Sequence, residues 1–356
     1  MARSLPKGWE AVICPIADGG DGTLECLVDA TDGVYFRASV TGPFSSEKVK
    51  ATWGKLGSAN VAVIEMAEAA GLRLLQVDRR SASNTTTFGV GELILKALDS
   101  GFRTILIGLG GSATNDGGTG CTQALGAKFL DNNGHELAPG GIHLQQLHTI
   151  DISRLDHRVS ECDITLLTDV KNVLLGTSGA TRTFAAQKGA TPQEMELLEQ
   201  GMHRFSEIVS HQLSVDVAMV PGSGAAGGLA AGLFSFCNAR IVPGIDFVLD
   251  TIGFNNLLSQ CDIVLTAEGR LDEQTLRGKG IAGLAKRTRT HNVPLHVFAG
   301  RVNGDSTMFI DRLKVDSVQE CAPRTMGEAE AMRRANELLA AKVREFTSNL
   351  VTRAGG

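Results

Sequence analysis

Thr104-Ile105-Leu106-Ile107-Gly108-Leu109-Gly110-Gly111-Ser112-Ala113-Thr114-Asn115-Asp116-Gly117-Gly118 decides how this chain is read. Its first six residues run apolar after Thr104 with no polar alternation, as in a strand buried on both faces of a parallel sheet. The next nine hold four glycines together with Ser112, Thr114, Asn115 and Asp116. Such a loop after a buried strand exposes clustered backbone N–H groups, and only glycine lets an anion come that close. Just upstream, Val90, Leu93, Ile94, Ala97 and Leu98 recur at helical spacing, with Gly101 at the expected stop.

Working outward, the same grammar recurs. Residues 11–16 read as a short core strand ending at Asp18-Gly19-Gly20-Asp21-Gly22-Thr23, and residues 61–67 as another. Residues 164–167 lead to Thr168-Asp169, residues 263–266 to Glu268-Gly269-Arg270, and residues 295–299 form one more strand. Thr191-Pro192-Gln193-Glu194 is a capping box with Pro in the first turn, and Met195, Leu198, Met202, Phe205 and Val209 give the helix after it one apolar face. A last amphipathic helix is expected from about Thr325, capped by Glu328 and burying Met332, Ala335, Leu339, Val343 and Phe346. Strand, glycine turn and helix in alternation predict an α/β protein with mainly parallel sheets, whose ligands sit in the loops after the strands.

Composition narrows the function. The 356 residues are enough for two domains, and 34 basic against 39 acidic residues leave a net charge of −5. That balance excludes a general nucleic-acid binder and a basic membrane-seeking surface. Seven scattered cysteines, none in a Cys-x-x-Cys pair, read as reduced cytoplasmic thiols. Residues 217–239 carry no charge, yet Pro221 and five glycines make them a buried loop and helix, not a membrane span.

Four loops carry candidate chemistry: 18–23, 110–118, 169–190 and 268–279. A carboxylate at a strand end followed by Asn, as in Asp169 and Asn172, can bind magnesium or deprotonate a hydroxyl. Lys188 beside Gly189 is placed where an ammonium could reach a transferring phosphoryl group, but from these residues alone it reads as a surface lysine before a helix. The 268–279 loop packs Glu268, Arg270, Asp272 and Lys279 closely enough to hold a ligand or to form a salt-bridged turn. Gly222-Ser223-Gly224-Ala225-Ala226-Gly227 matches the dinucleotide fingerprint, with Asp246 further on, and keeps an NAD-dependent oxidoreductase open. A P-loop is absent, since Glu273 stands where its first glycine belongs and Gly280 where its Ser or Thr belongs.

Read together, these loops resemble the type 1 bacterial glycerate kinases. The resemblance rests on the 18–23 and 110–118 loops, Asp169-Val170-Lys171-Asn172, Gln187-Lys188-Gly189-Ala190, Gly224-Ala225-Ala226-Gly227-Gly228, and Glu268-Gly269-Arg270-Leu271-Asp272 with Gly278-Lys279. It covers nearly the whole chain in order, and it makes the 222–227 match a by-product of a different glycine loop. It departs at Val173, Ala185, Ala186 and Ala267, where that family usually has Pro, Gly, Pro and Gly. That family also opens with a strand and an Asp-Ser-Phe-Lys loop upstream of the segment matching 11–16, which this chain lacks. The resemblance therefore implies a chain impaired in stability and turnover, or a ligand-binding relative without catalysis.

What it implies about fold is a Rossmann-like domain, discontinuous over 1–30 and 242–356, with a second α/β domain over 31–241 inserted and the site between them. The activity implied is transfer of the ATP γ-phosphoryl group to D-glycerate with Mg²⁺, in a monomer or homodimer. Asp169 would then be general base or metal ligand, and Lys188 and Arg270 would neutralise charge. Binding of ATP or glycerate would fall to Asp18, Gly110, Gly111, Ser112, Thr114, Asn115, Asp116, Asn172, Arg182, Gly224, Gly227, Glu268, Asp272 and Lys279.

Overall fold

The computed structural model describes residues 1–57, 59–272, 275–276 and 280–354. Eleven strands stand among them: β1 (Val34–Thr41), β2 (Lys48–Lys55), β3 (Val61–Glu65), β4 (Thr104–Gly108), β5 (Lys128–Leu130), β6 (Thr149–Asp151), β7 (Asp163–Leu167), β8 (Arg240–Val242), β9 (Val264–Leu271), β10 (Leu295–Val302) and β11 (Ser317–Glu320). The chain divides into two compact units, Ile16–Val248 and a discontinuous one made of Met1–Pro15 with Leu249–Gly356. Both are α/β, and in sequence the larger is inserted into the smaller.

The larger unit is built on a six-stranded sheet in the order β1-β2-β3-β4-β7-β8. From β3 to β8 the pairing is parallel, while the β1–β2 and β2–β3 pairs are antiparallel. Ile105, Leu106 and Ile107 at its centre are at most 2% exposed, as expected for a strand covered on both faces. Helix Phe88–Asp99 turns Val90, Leu93, Ile94, Ala97 and Leu98 into this core. Pro192–Leu213 starts at the expected capping box, in which Thr191 Oγ1 accepts from the Glu194 N–H while Glu194 Oε2 accepts from the Thr191 N–H at 2.8 Å. Its Leu198, Met202, Phe205 and Val209 are buried.

The register places the functional end. Glu65 pairs with Gly108, and Gly108 with Leu167, so β3, β4 and β7 stop level with one another. The loops that follow them, together with 18–23 and 222–228, lie at this carboxyl edge. Gly110 N–H donates to the Gly19 carbonyl at 2.9 Å, Gly117 N–H to the Gly227 carbonyl at 3.0 Å, and Gly224 N–H to the Asn172 carbonyl at 3.0 Å.

The smaller unit carries a parallel sheet in the order β11-β10-β9. Helix Ala335–Ala354 buries Val343 and sets Phe346 against His296 and Phe298.

Two local expectations are corrected. Residues 11–16 are not a strand: Val12 and Ile13 are 60% and 77% exposed, and the small sheet's ladders do not include them. An apolar run becomes a strand only where a neighbour supplies the ladder. The last helix does not begin at Thr325. A first helix runs Glu328–Arg333, and the chain breaks at Arg334 before the next begins at Ala335. Gly327, at the cap, has no side chain to offer, Glu328 pairs with Arg270 instead of closing a box, and Met332 is 72% exposed. Among the described residues no helix is long and apolar enough to cross a membrane, and residues 217–239 hold the short buried helix Leu229–Cys237.

Candidate active site

The 110–118 loop is held from inside. Asp116, wholly buried, accepts from the Thr87 N–H and hydroxyl, both at 2.8 Å, and from the N–H groups of Gly118 and Gly120 at 3.1 and 3.3 Å. Burial pushes its carboxyl above the ordinary value against the pull of these donors. Its place is therefore the interior frame of the loop. Asn115 is also buried, and its Nδ2 donates to Thr181 Oγ1 at 3.1 Å.

Lys188 meets this loop from a distant part of the chain. It is only 2% exposed, and its Nζ donates to Ser112 Oγ at 2.7 Å and to the Thr114 carbonyl at 2.8 Å. The short 3₁₀ turn Ala186–Lys188 sets this position, ending at Gly189, whose φ of 92° carries the backbone past the Arg80 carbonyl. Desolvation lowers the Lys188 pKa to about 7, with Asp116 pulling the other way. The surface-lysine reading fails: this is a buried ammonium at the root of a glycine loop.

The 222–228 loop closes against the same place. A Cβ on Gly227, where φ is 63°, would lie 2.0 Å from the Thr114 carbonyl oxygen, and one on Gly224 would lie 2.2 Å from the Val173 carbonyl oxygen. These glycines exist for backbone-on-backbone contact. No strand precedes them in residues 214–221, so the dinucleotide fingerprint lacks its strand–turn–helix context.

Asp169 follows β7 by two residues, and its carboxylate oxygens are shielded from water. Asn172 spends its Nδ2 on the Ser178 carbonyl and Thr183 Oγ1, at 2.7 and 3.2 Å, which folds residues 172–183 into one loop. Exposed Asp18 accepts from Gly20 N–H at 3.1 Å. Arg182 stands apart on the surface, in a two-pronged ion pair with Glu196.

The smaller unit brings together Glu268, Arg270 and Asp272 at the end of β9. Arg270 is paired with Glu328, and Asp272 Oδ1 accepts from Thr275 N–H at 3.2 Å. Lys279 lies outside the described residues. Two residues are not marked out by the sequence pattern. Arg301 sits opposite Arg270 across the β9–β10 pair and donates to the Pro323 and Met326 carbonyls. Glu65 ends β3 with a buried carboxylate. A polar residue closing an apolar run is the available signal for Glu65; Arg301 has none beyond following residues 295–299.

This arrangement gathers backbone N–H groups, a buried ammonium and a carboxylate at the end of a parallel sheet, the equipment for binding and moving an anionic group. Comparison with known proteins agrees. The glycerate kinase family profile matches residues 1–351. The Bacillus subtilis protein named glycerate kinase is 40% identical over 98% of this chain and 93% of its own length. The Escherichia coli protein named glycerate 2-kinase is 43% identical over 86% of this chain and 82% of its own. A solved Salmonella typhimurium LT2 structure, provisionally named glycerate kinase 2, superposes with a TM-score of 0.81 at 40% identity, covering 96% of this chain and 89% of that one. The chain belongs to the glycerate kinase family.

Proposed function

We propose that this chain is a cytoplasmic, ATP-dependent glycerate kinase that transfers the γ-phosphoryl group of ATP to a hydroxyl of D-glycerate. The observation that carries the reading is Lys188, buried yet bonded through Nζ to Ser112 and Thr114 of the glycine loop, in a chain of this family. Phosphoryl transfer asks for positioning and charge neutralisation more than for covalent chemistry by the protein.

In this reading the N–H groups of 110–118 and 222–228 that are not already given to backbone carbonyls or to Asp116 receive phosphate or carboxylate oxygens, and Lys188 stands behind them as the positive charge. Arg270 exchanges Glu328 for a substrate anion. Asp169 takes the proton of the acceptor hydroxyl as its oxygen bonds to the γ-phosphorus and the bond to the bridging β,γ-oxygen breaks, releasing ADP. Among the described residues no group of three or more His, Cys, Asp or Glu stands ready to hold a metal alone. That fits magnesium, which usually binds through one or two carboxylates and the nucleotide's own phosphates. Asp169 would hold the ion in the alternative in which it does not act as the base, and the ion would supply charge neutralisation on the phosphates.

The test is incubation with ATP, Mg²⁺ and D-glycerate followed by phosphorus NMR. Phosphoglycerate formed at the expense of ATP supports the reading, and the spectrum gives the acceptor position, which we assign to the 2-hydroxyl by analogy with the Escherichia coli relative's name. No glycerate-dependent ADP formation, or saturable binding of NAD in place of ATP, overturns it.

A further inference from the structure

Glu65 closes β3, is 1% exposed, and pairs in register with Gly108 just before the glycine loop. Its Oε2 accepts from the N–H groups of Gly22 and Leu24, each at 3.2 Å. These are donors at the start of helix Thr23–Ala30, where the capping residue is Gly22 and no side-chain cap is made locally. Glu65 thus supplies, from a distant strand, the acceptor that a Ser or Asp at the cap would supply in most helices.

The same short loop is fastened on its other side. Gly19 accepts from Gly110 N–H, a Cβ on Gly110 would lie 2.2 Å from Gly20 Cα, and a Cβ on Gly111 would lie 2.5 Å from Asp21 Oδ1. Residues 18–23 are therefore gripped between Glu65 and the first glycines of the 110–118 loop. A displacement at Gly22 moves Asp18 and Gly110 with it, because close-packed backbone has no slack to absorb the shift.

We propose that Glu65 is a positioning residue of the phosphoryl-transfer site, clamping residues 18–23 against the 110–118 loop. The assignment rests on the kinase reading above for its catalytic consequence, but not for the clamp itself. The groups facing Glu65 are Arg73, whose Nη2 is 3.7 Å from Oε1 and which also pairs with Glu68, and the acidic Asp21 and Glu25. Burial, helped by Glu25 and Asp21, pushes the Glu65 carboxyl up to about 7 against the pull of Leu24 N–H and Arg73. A carboxyl raised in the closed loop favours closure below its ordinary value of 4.5, and that advantage is lost as pH rises through about 7.

The experiment compares the full chain with Glu65→Gln and Glu65→Ala. Gln keeps an oxygen acceptor but cannot ionise; Ala keeps neither. Amide hydrogen exchange, corrected for its intrinsic pH dependence, is followed over residues 19–28 from pH 5 to 9 beside steady-state kinetics. Glu65→Ala is expected to speed exchange at Gly22 and Leu24 and to lower kcat/KM, each about tenfold or more, the scale of losing hydrogen bonds to an ionisable acceptor. Glu65→Gln is expected to restore most of kcat/KM and to abolish the weakening of loop protection that the wild type shows as pH rises toward 7. Unchanged local exchange in Glu65→Ala, or the same pH dependence in Glu65→Gln as in wild type, overturns the clamp. If Glu65→Ala does not fold, the Gln comparison decides alone. A wild type without glycerate-dependent turnover sinks the kinase reading, while the exchange measurements still judge the clamp.

Discussion

Lys188 Nζ lies 2.7 Å from Ser112 Oγ, a bond between residues 76 positions apart that ties the Ala186–Lys188 turn to the glycine loop after β4. It fixes an ammonium where water scarcely reaches, at the carboxyl edge of the parallel sheet. In such surroundings a charge acts over a few ångströms with far more force than in bulk water.

Lys188→Ala should leave the fold in place, seen by circular dichroism, and cut kcat strongly. Losing a charge contact made mainly in the transition state costs about 3 kcal/mol, on the order of a hundredfold in rate. An unchanged kcat in the folded variant would remove Lys188 from the mechanism. Stability supplies an independent check. The Lys188 pKa is lowered from 10.5 to about 7 in the fold, so between those pH values the unfolded chain binds the extra proton. Wild type should therefore gain stability relative to Lys188→Met as pH rises from about 7 toward 10.5, read as a growing difference in Tm. A shrinking difference contradicts the burial of this charge.

Asp169→Asn should abolish turnover by a different route. The amide keeps the volume but neither takes a proton nor offers a full charge to a cation. Activity recovered with Mn²⁺ in place of Mg²⁺ assigns Asp169 to the metal; activity lost with both assigns it to the hydroxyl proton. Normal rates with Mg²⁺ would make it structural only.

Gly227→Ala and Gly269→Ala should part company. At Gly227 the positive φ alone costs about 1–3 kcal/mol, and the new Cβ meets the Thr114 carbonyl oxygen at 2.0 Å. A lower Tm and lost turnover are expected together. At Gly269 a Cβ meets nothing within 4 Å and the backbone is unstrained, so Tm should hold or rise by the effect of about 0.4–1 kcal/mol on the unfolded chain. Equal Tm values for the two variants would show that the 222–228 loop yields more easily than its packing implies.

Thr191→Ala should lower stability by about 1 kcal/mol through loss of the capping box, with kcat unchanged. A denaturant titration reads the first and an initial-rate assay the second. A large fall in kcat would mean that the helix start also orders Lys188, three residues before Thr191.

Much of the fold and part of the site are legible in the order of residues. The 104–118 stretch alone announces a buried strand and an anion-ready loop, because an unbroken apolar run and a cluster of glycines each have few stable uses. The capping box at Thr191 is readable for the same reason: its hydrogen bonds close within four residues. Residues 11–16 and the helix expected near Thr325 mislead, since a strand needs a ladder and a cap needs the right backbone turn, and neither is a property of the segment itself.

What the sequence by itself determined was the alternation of strand, glycine loop and helix, and the inventory of Asp169, Lys188, Arg270 and the loops at 110–118 and 222–228. Tertiary structure alone decided that Lys188 is buried against Ser112 while Arg182 is held at the surface by Glu196, and that Asp116 frames its loop from inside. It also decided that Glu65 caps a helix more than forty residues before it. The reason is physical. Backbone propensity and hydrophobic period act over a few residues and leave their mark in local order. Burial, desolvation and a carboxylate's choice of hydrogen-bond partner depend on which distant segments close-pack around it, and that is written only in three dimensions.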